Sequence, residues 1–434
     1  MAAEGGTGEP SLPDLAAPRL AIIADDLTGA ADAAAAFASR GFPTVVALTG
    51  TPSTPASVVA RFSGARDLPE ADAIRLARMA VKAIRASGEP ERWYQKIDSV
   101  LRGHPGPELA TTMAALGLER ALVAPALPAE GRTVVGGRVF VDGRLLPDSS
   151  FGGRISASVA DHLRRPIAGR IVHLSPEDLD EGLPALAARL AECDRGVVVA
   201  DARNEADLCL LARAALAAGP LLLCGSAGLA NAVAAALAEG SIDVAAPPSP
   251  SRPAASRPIL VVAGSHHPAT GRQIDRLAAA EALVVRPPRL APDEDGAAIA
   301  RLSRDVAAGL AAGRTVVLTA IGCPDVRLSG AAIADRLACI AAQPEILGAT
   351  GGLVATGGEV AAALFRAAGA TALRLGGAVR PAIPWGVLEG GAATGLPVVT
   401  KAGSFGDDRA LADCTAFLRG ADPPEAASTQ PVKA

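Results

Sequence analysis

Lysine and aromatic residues are scarce in this sequence. Only four of its 41 basic residues are lysines, and its 434 residues include one tyrosine and two tryptophans. The formal net charge of −4 gives no broad basic surface for nucleic acid, so a small molecule is the expected partner. Because the chain prefers arginine, Lys96 and Lys401 in glycine-rich motifs indicate sites that need a compact ammonium group, with chance placement as the alternative.

The six cysteines form no C-x-x-C pair, and none lies near a histidine at zinc-finger spacing. We expect them to be reduced thiols of a cytoplasmic protein. The first residues lack the basic start and the apolar stretch of a signal peptide. The most apolar region, 208–237, is interrupted by Arg213 and Pro220, so it predicts two buried elements rather than a membrane span or a membrane partner.

Short apolar runs alternate with alanine-rich helical stretches along the chain. This pattern predicts an α/β fold of two domains, each a mostly parallel sheet with helices on both faces, and a ligand cleft between them. The pair Asp142-Gly143 predicts one antiparallel hairpin. The predicted strands are RLAIIADD, FPTVVALTG, RALVAPA, RGVVVADA, PLLLCGSAG, PILVVAGS, RTVVLTA, GLVATGGE and LPVVTKAG.

Domain boundaries follow from composition. Near residue 250, proline, serine and alanine replace any periodic pattern, which is typical of a linker. We expect a first domain over 19–244, a linker over 245–256 and a second domain over 257–420. Residues 1–18 and 421–434 are expected to be disordered tails.

The first polar motif is ADDLTGAAD. Asp25 and Asp26 end an apolar strand, and Thr28, Gly29 and Asp32 follow at a helix start. Carboxylates at the carboxyl end of a parallel strand point into the crevice where ligands bind. They are candidates for holding substrate hydroxyls, coordinating Mg²⁺ through water or acting as a general base. The alternative is that one caps the helix and the other is solvated.

The second motif, KIDSVLR, places Lys96, Asp98, Ser99 and Arg102 within seven residues. A helix start rich in glycine and proline follows. This set suits an acidic polyol, with Arg102 or Lys96 for a carboxylate and Asp98 for hydroxyl groups. A surface salt-bridge cluster is the alternative.

Three glycine-rich turns follow strands of the second half. Glycine lets backbone amides approach phosphates, and a lysine neutralises developing charge, so together the turns favour a phosphate-rich ligand. None is a Walker A loop, because Gly-Lys never occurs in the chain, and no G-x-G-x-x-G follows a strand. A metal site at His266 and His267 is disfavoured, because no third ligand lies at a suitable spacing.

Taken in order, the motifs resemble those of the four-carbon acid sugar kinase family over most of residues 19–415. ADDLTGAAD matches DD-x-TGA-x-D, and KIDSVLRGHPGPEL resembles K-x-DS-x-x-RG-x-x-G-x-E. GSHHPATGRQI is similar to GS-x-x-x-x-T-x-x-Q, while TGGE and TKAGSFG match the GGE and K-x-G-x-FG turns. The resemblance implies an ATP-dependent kinase that phosphorylates a terminal hydroxyl of a small sugar acid. It places the acid in the N-terminal domain and the nucleotide in the C-terminal domain.

The resemblance also implies residue roles. Catalysis would fall to Asp98 or Asp25, which orient or deprotonate the hydroxyl, and to Lys96, which neutralises charge. The implied acid-binding residues are Asp25, Asp26, Arg66 of SGARDLPEADA, Lys96, Asp98, Ser99 and Arg102. Those implied for ATP, whose phosphates Mg²⁺ would bridge, are Ser265, Thr270, Gly357, Gly358, Glu359, Lys401, Ala402, Gly403 and Ser404.

One departure bears on the substrate. LLPDSSFGGRISASVADHL lacks the E-T-x-F-A-R-D-P-like run of many family members, which leaves open a branched or oxidised acid such as 3-oxo-isoapionate in place of threonate. A nucleotide-dependent oxidoreductase is the rival enzyme class, and a non-catalytic sugar-acid binding or sensor protein is the rival outside enzymes. Open-sheet kinases often form homo-oligomers, although the sequence indicates no interface.

Overall fold

The computed structural model describes residues 18–422 with short gaps. The gaps are residues 51, 53, 150–154, 165–166, 168, 241–249, 255, 266 and 292–295. Most of the two predicted tails, half of the predicted linker and His266 therefore lie outside the described residues.

Strands and helices alternate along the described chain. The strands are β1 (Leu20–Ala24), β2 (Thr44–Ala47), β3 (Val58–Phe62), β4 (Arg92–Lys96), β5 (Arg120–Ala124), β6 (Arg132–Val135), β7 (Arg138–Val141), β8 (Arg144–Leu145), β9 (Arg170–Leu174), β10 (Gly196–Ala200), β11 (Leu222–Gly225), β12 (Ile259–Ala263), β13 (Leu283–Val285), β14 (Val316–Thr319), β15 (Gly352–Thr356), β16 (Ala372–Arg380), β17 (Ile383–Glu389) and β18 (Pro397–Lys401). The α-helices are α1 (Leu27–Ala38), α2 (Glu70–Arg85), α3 (Pro105–Leu116), α4 (Val159–Leu163), α5 (Pro176–Asp180), α6 (Leu183–Glu192), α7 (Glu205–Ala217), α8 (Ala227–Glu239), α9 (Pro268–Ala279), α10 (Gly296–Ala311), α11 (Gly330–Ala341), α12 (Pro344–Ala349), α13 (Gly358–Ala367) and α14 (Ala410–Leu418).

Fifteen of these strands form one sheet. The first half of the chain contributes the order β2-β3-β1-β4-β11-β5-β10-β9, in which every pair is parallel. The second half contributes β13-β14-β12-β15-β18-β17-β16, which is parallel except for the pairs that β17 makes. The halves join where β2 pairs antiparallel with β16. The predicted two-part, mostly parallel α/β fold is confirmed, and its two sheets are continuous.

Burial explains the composition of the central elements. β1 and β12 are apolar at all five positions and fully buried, because helices cover both faces of a parallel sheet. Ten of the twelve residues of α1 are buried, most of them alanine. Apart from Asp32, this helix is apolar on every side beyond its first turn, because it packs against α8 of the first half and against β16 and α13 of the second. The N-terminus of α1 therefore lies where the two halves meet.

Several sequence predictions are confirmed. All nine predicted strands form, and Asp142 and Gly143, both with positive φ, turn between β7 and β8. The apolar region 208–237 is divided, as predicted, but into parts of three elements, α7, β11 and α8, rather than two. Among the residues that the structure describes, no helix combines the length and apolar composition needed to cross a membrane.

The antiparallel pair of β16 and β17 was not predicted. On β16, the alternation of apolar and polar residues is broken by Gly376 and Gly377, and the pairing with β17 has two register shifts. The ring of Trp385 lies so close to Gly376 that a Cβ there would fall 2.3 Å from it. Gly376 therefore makes room for a cross-strand indole, and Gly377, with positive φ, lies beside Ser39.

Candidate functional site

Three adjacent strands bring the charged side chains to one edge of the sheet. Asp25 and Asp26 follow β1, Arg66 follows β3, and Lys96 ends β4. Because β3, β1 and β4 are parallel neighbours, their carboxyl ends meet at the same edge. The structure therefore brings Arg66 together with both polar motifs of the first half.

The guanidinium of Arg66 is bound by both aspartates. Its Nε and Nη2 each donate to the Asp25 carboxylate at 2.7 Å, and its Nη1 donates to Asp26 Oδ2 at 2.7 Å. Burial opposes ionisation of Arg66, yet the two carboxylates raise its pKa well above the ordinary value. The arginine expected to hold the substrate thus fixes the two aspartates as well.

The two aspartates have different environments. Asp26 caps α1, since its carboxylate accepts from the Gly29 N–H and from the Thr28 hydroxyl, both at 2.8 Å. Asp25 is 2% exposed, and burial raises its pKa while Arg66 opposes the rise. The alternative interpretation is therefore correct for Asp26, which caps the helix. It is wrong for Asp25, which is buried rather than solvated.

Asp98 lies between two arginines. Its Oδ2 accepts from Arg102 Nη2 at 2.6 Å and lies 3.8 Å from Arg66 Nη1. Its Oδ1 accepts from the Val100 N–H at 3.0 Å. Although burial opposes ionisation, the two guanidinium groups hold the pKa of Asp98 well below its usual range. Asp98 and Arg102 form an ion pair, but Asp98 is buried, so this is not a surface cluster.

Lys96 and Ser99 are buried beside this pair. Lys96 Nζ donates to its neighbour's carbonyl, that of Ile97, at 3.1 Å. Ser99 Oγ accepts from Arg132 Nη1 at 2.6 Å. Arg132 begins β6, and its guanidinium carbon lies 5.2 Å from the ring centroid of Phe405 in the second half. The small sheet that contains the predicted hairpin thus brings an arginine to the site, on its strand β6.

In the second half, Lys401 holds its own loop. Its Nζ donates to the carbonyls of Ala402 at 2.8 Å, Gly403 at 3.2 Å and Phe405 at 3.1 Å. Burial lowers the pKa of Lys401 to about 8, while the three carbonyl groups favour its charged form. Its ammonium group is therefore used within the loop in this structure.

Small residues bring the second-half turns into close contact. Thr270 Oγ1 donates to the Gly403 carbonyl at 2.9 Å, and a Cβ on Gly403 would lie only 1.8 Å from Ser265 Oγ. Gly357, with φ of 100°, donates its N–H to the Lys401 carbonyl at 2.8 Å. The three predicted nucleotide turns are therefore one connected structure.

The GGE turn contacts the first half directly. A Cβ on Gly358 would lie 3.0 Å from Asp26 Oδ2 and 3.2 Å from Thr28 Oγ1. Glu359, next in sequence, is exposed and faces a cleft of about 530 Å³ that Arg66 and Arg102 also line. Gly358 thus sits at the junction of the predicted acid and nucleotide residues.

A smaller space, which we call the interdomain cavity, separates the two sets of residues. Its volume of about 40 Å³ is room for about three water molecules. Its polar and aromatic lining includes Asp26, Asp32, Arg66, Lys96, Asp98, Ser99, Arg102 and Arg132 of the first half, with Thr400, Ser404 and Phe405 of the second. Ala402 also lines it, so this loop faces the predicted acid-binding residues.

Sequence reasoning assigned no role to Arg132, Phe405 or Asp32. Asp32 belongs to the first motif, and Phe405 to the glycine-rich loop, so their proximity to the site was visible in the sequence. Arg132 has no such signal, because it lies 33 residues beyond Ser99 on a strand of a separate small sheet.

The histidine pair provides no metal site in the described structure. His267 caps α9 by accepting from the Ala269 N–H through its ring nitrogen, and His266 lies outside the described residues. Over the part of the chain that is described, no group of three or more His, Cys, Asp or Glu side chains is placed to hold a metal ion.

Two family models match the chain. One, described as a sugar-binding N-terminal domain, matches residues 20–233. The other, described as a nucleotide-binding C-terminal domain, matches residues 260–411. Together they span both polar sides of the interdomain cavity.

Curated relatives align over nearly their whole length. The chain is 34% identical to a D-threonate kinase of Bordetella bronchiseptica, over 93% of this chain and 98% of the relative. It is 38% identical to a D-threonate kinase of Cupriavidus necator, over 90% and 95% respectively. A 3-oxo-tetronate kinase of Cupriavidus necator is 30% identical, over 90% and 94%.

Solved structures show the same fold. A Salmonella typhimurium LT2 protein superposes with a TM-score of 0.75 at 22% identity, covering 92% of this chain and 98% of that one. A Haemophilus influenzae protein superposes with a TM-score of 0.68 at 22% identity, covering 92% and 99%. At this identity the likeness concerns the architecture alone.

Proposed function

The chain belongs to the four-carbon acid sugar kinase family, and we propose that it transfers the γ-phosphoryl group of ATP to a terminal hydroxyl of a small sugar acid. The observation that carries this proposal is the interdomain cavity. Arginine, lysine and carboxylate side chains of the first half face the glycine-rich loop of the second half across it. An acidic acceptor and a triphosphate donor require opposing surfaces of this kind.

The first half supplies the acid site in this proposal. Arg102 is the arginine with the greater freedom, because its side chain is 46% exposed, compared with 14% for Arg66. Arg102 would bind the substrate carboxylate, while Arg66 keeps Asp25 and Asp26 oriented toward the substrate hydroxyls. Lys96 would neutralise charge on the transferring group, and the Ser99 hydroxyl would add a hydrogen bond.

The second half supplies the nucleotide site. Gly357, Gly358 and the Lys401–Ser404 loop would present backbone N–H groups to the phosphates, with Ser265 beside them. Thr270 and the Lys401 ammonium would act through the loop, because both already bind its carbonyl groups. The cleft of about 530 Å³ at Glu359 has room for the rest of the nucleotide.

Mg²⁺ fits this site as a partner of ATP. The described residues form no three-ligand cation site, and Mg²⁺ in kinases is bound mainly by substrate phosphates with one or two carboxylates. The ion would neutralise phosphate charge during in-line transfer. The protein itself contributes positioning, charge stabilisation and exclusion of water, which would otherwise compete as acceptor.

D-threonate is the first substrate to test, since the relatives with 34% and 38% identity carry that name. Oxidised four-carbon acids come second, because a 3-oxo-tetronate kinase is 30% identical. Because the E-T-x-F-A-R-D-P-like run is missing near residue 150, branched acids such as 3-oxo-isoapionate are also substrates to test.

A cytoplasmic location fits an enzyme that consumes ATP, and a homo-oligomer would have to use a surface away from the interdomain cavity.

The division of labour is tested by Arg102→Ala. Loss of a charge-assisted contact is expected to raise the KM for the sugar acid about tenfold or more, with the KM for ATP changed by less than about threefold. The matched control is Arg75→Ala on α2, whose arginine is exposed and pairs only locally with Asp72. A raised KM for ATP with an unchanged KM for the acid would contradict the assignment of the two halves.

A further inference from the structure

Asp32 is a carboxylate of the interdomain cavity that the proposed function leaves without a task. It lies on α1 just after the Thr28 turn and is partly buried. Its side chain makes no hydrogen bond or ion pair with any residue that the structure describes, although it faces Lys96 and Arg132. It is therefore available to a ligand in the cavity.

The other carboxylates of the site are engaged. Both oxygens of Asp25 accept from Arg66, and both oxygens of Asp26 accept from Arg66 and the start of α1. Asp98 is bound by Arg102 and by the Val100 N–H. Taking up a proton would weaken these charge-assisted hydrogen bonds, so the three are suited to orienting groups rather than to accepting a proton.

Asp32 also has a route to solvent. Besides the interdomain cavity, it lines a groove of about 470 Å³ on the other side, together with Glu130, Asn231 and Arg380. A proton received from the cavity side can therefore leave through this groove without crossing the nucleotide site.

The charges around Asp32 suit proton transfer. Burial raises the pKa of Asp32 to about 6, and the Lys96 ammonium opposes a larger rise. The charged groups around it are Lys96 at the end of β4, Arg132 at the start of β6, Glu130 before β6 and Asp26 at the start of α1. The groove adds Arg40 after α1, Glu205 at the start of α7 and Arg380 at the end of β16. A carboxylate of this kind is mostly ionised at neutral pH and still basic enough to take a proton.

We propose that Asp32 is the general base of the reaction, an inference that rests on the proposed kinase function. The acceptor O–H bond breaks as the O–Pγ bond forms, and the proton passes to the Asp32 carboxylate. The bond from Pγ to the bridging oxygen breaks, and its electron pair leaves with ADP. Asp32 then releases its proton to solvent, so one phosphorylated acid, one ADP and one proton are formed for each ATP.

The test is Asp32→Asn, which keeps the side-chain shape and removes the basic oxygen. Single-turnover measurement with ATP and the best sugar acid is expected to show a rate constant lower by about a hundredfold or more. The KM values for both substrates should change by less than about threefold, because Asp32 acts on proton transfer in the transition state rather than on substrate binding. The control is Glu70→Gln, which removes an exposed carboxylate in the first turn of α2 and should leave the rate close to that of the wild type.

The pH profile separates a base from a structural residue. The wild-type rate is expected to fall as pH drops below about 6, since protonated Asp32 cannot accept a proton. Asp32→Glu should keep measurable turnover and this acidic limb, whereas Asp32→Asn should lose the limb.

Failure of the inference is distinguishable from failure of the function. If the wild type releases ADP and Asp32→Asn matches its rate and pH profile, only the role of Asp32 is wrong. If the wild type releases no ADP with any sugar acid, the kinase proposal and this inference are both overturned.

Discussion

Glu108 shows how burial sets the behaviour of a single residue. Its side chain lies in the first turn of α3 and is 2% exposed. Burial raises its pKa to about 8, and the nearby Asp25 carboxylate adds to the rise. Because the folded-state pKa exceeds the unfolded value, the folded protein binds the extra proton, and stability is lost as pH rises from about 4.5 through 8.

Glu108→Gln is therefore expected to stabilise the protein at alkaline pH. Replacing the ionisable group removes a penalty of about 4 kcal/mol at pH 8 and almost none at pH 4.5. Urea unfolding of both proteins across this pH range measures the difference. Glu119→Gln, at an exposed carboxylate, is the control. Its free energy of unfolding should change with pH as steeply as that of the wild type. If the free energies of unfolding of Glu108→Gln and the wild type changed with pH in parallel, Glu108 would ionise normally in the folded protein.

At the scale of elements, the sequence predicted nine strands of the large sheet and the motifs at their carboxyl ends. Predicted strands such as β1 and β12 are fully buried, so their apolar runs are continuous and easily recognised. The parallel strands β3, β9 and β13 were missed, and each is only partly buried. The antiparallel β16 was missed because Gly376 and Gly377 interrupt its alternation. The pairing of Arg66 with both aspartates could not be predicted from local sequence, because about 40 residues separate them and only the order β3-β1-β4 makes them neighbours.

The loop after β18 yields a prediction about element packing. Gly403→Ala would place a Cβ 1.8 Å from Ser265 Oγ, so the loop has to move away from the turn after β12. We expect the KM for ATP to rise about tenfold or more, with a smaller change for the sugar acid. Steady-state kinetics with each substrate varied in turn measures both values.

Gly271→Ala is the matched control for Gly403→Ala. Gly271 lies on α9, and a Cβ there would meet nothing within 4 Å. Alanine is also the better helix former, so this variant should keep the wild-type kinetics and be slightly more stable. Equal effects of the two substitutions on ATP would contradict the role given to the loop.

At the scale of the whole molecule, the interdomain cavity is too small for its proposed ligand. A volume of about 40 Å³ holds a few waters, not a four-carbon acid. The halves are joined by the three paired positions of β2 and β16 and by the packing of α1 against β16 and α13, so an opening has to bend at this connection. We therefore expect an opening motion when the acid enters this cavity.

Small-angle X-ray scattering tests this motion. We expect the radius of gyration to be larger without ligands, and to fall when ADP and the sugar acid are added together, because the two ligands together fill the space between the halves. Either ligand alone should cause a smaller change. An unchanged radius under all conditions would show that the acid enters without movement of the halves. The predicted domain bounds stay a prediction until such motion defines the moving units.

The most direct test of the proposed kinase function is ADP release by the purified full-length protein with ATP and Mg²⁺. The acceptors are D-threonate, erythronate, 3-oxo-tetronates, 3-oxo-isoapionate and neutral sugars of matched size. We predict turnover with one or a few sugar acids and none with the neutral sugars, because neutral sugars lack the carboxylate that Arg102 would bind. Binding of a sugar acid without ADP release would indicate a sensor protein, and an absorbance change of a nicotinamide cofactor would indicate an oxidoreductase. Either result would contradict the kinase function.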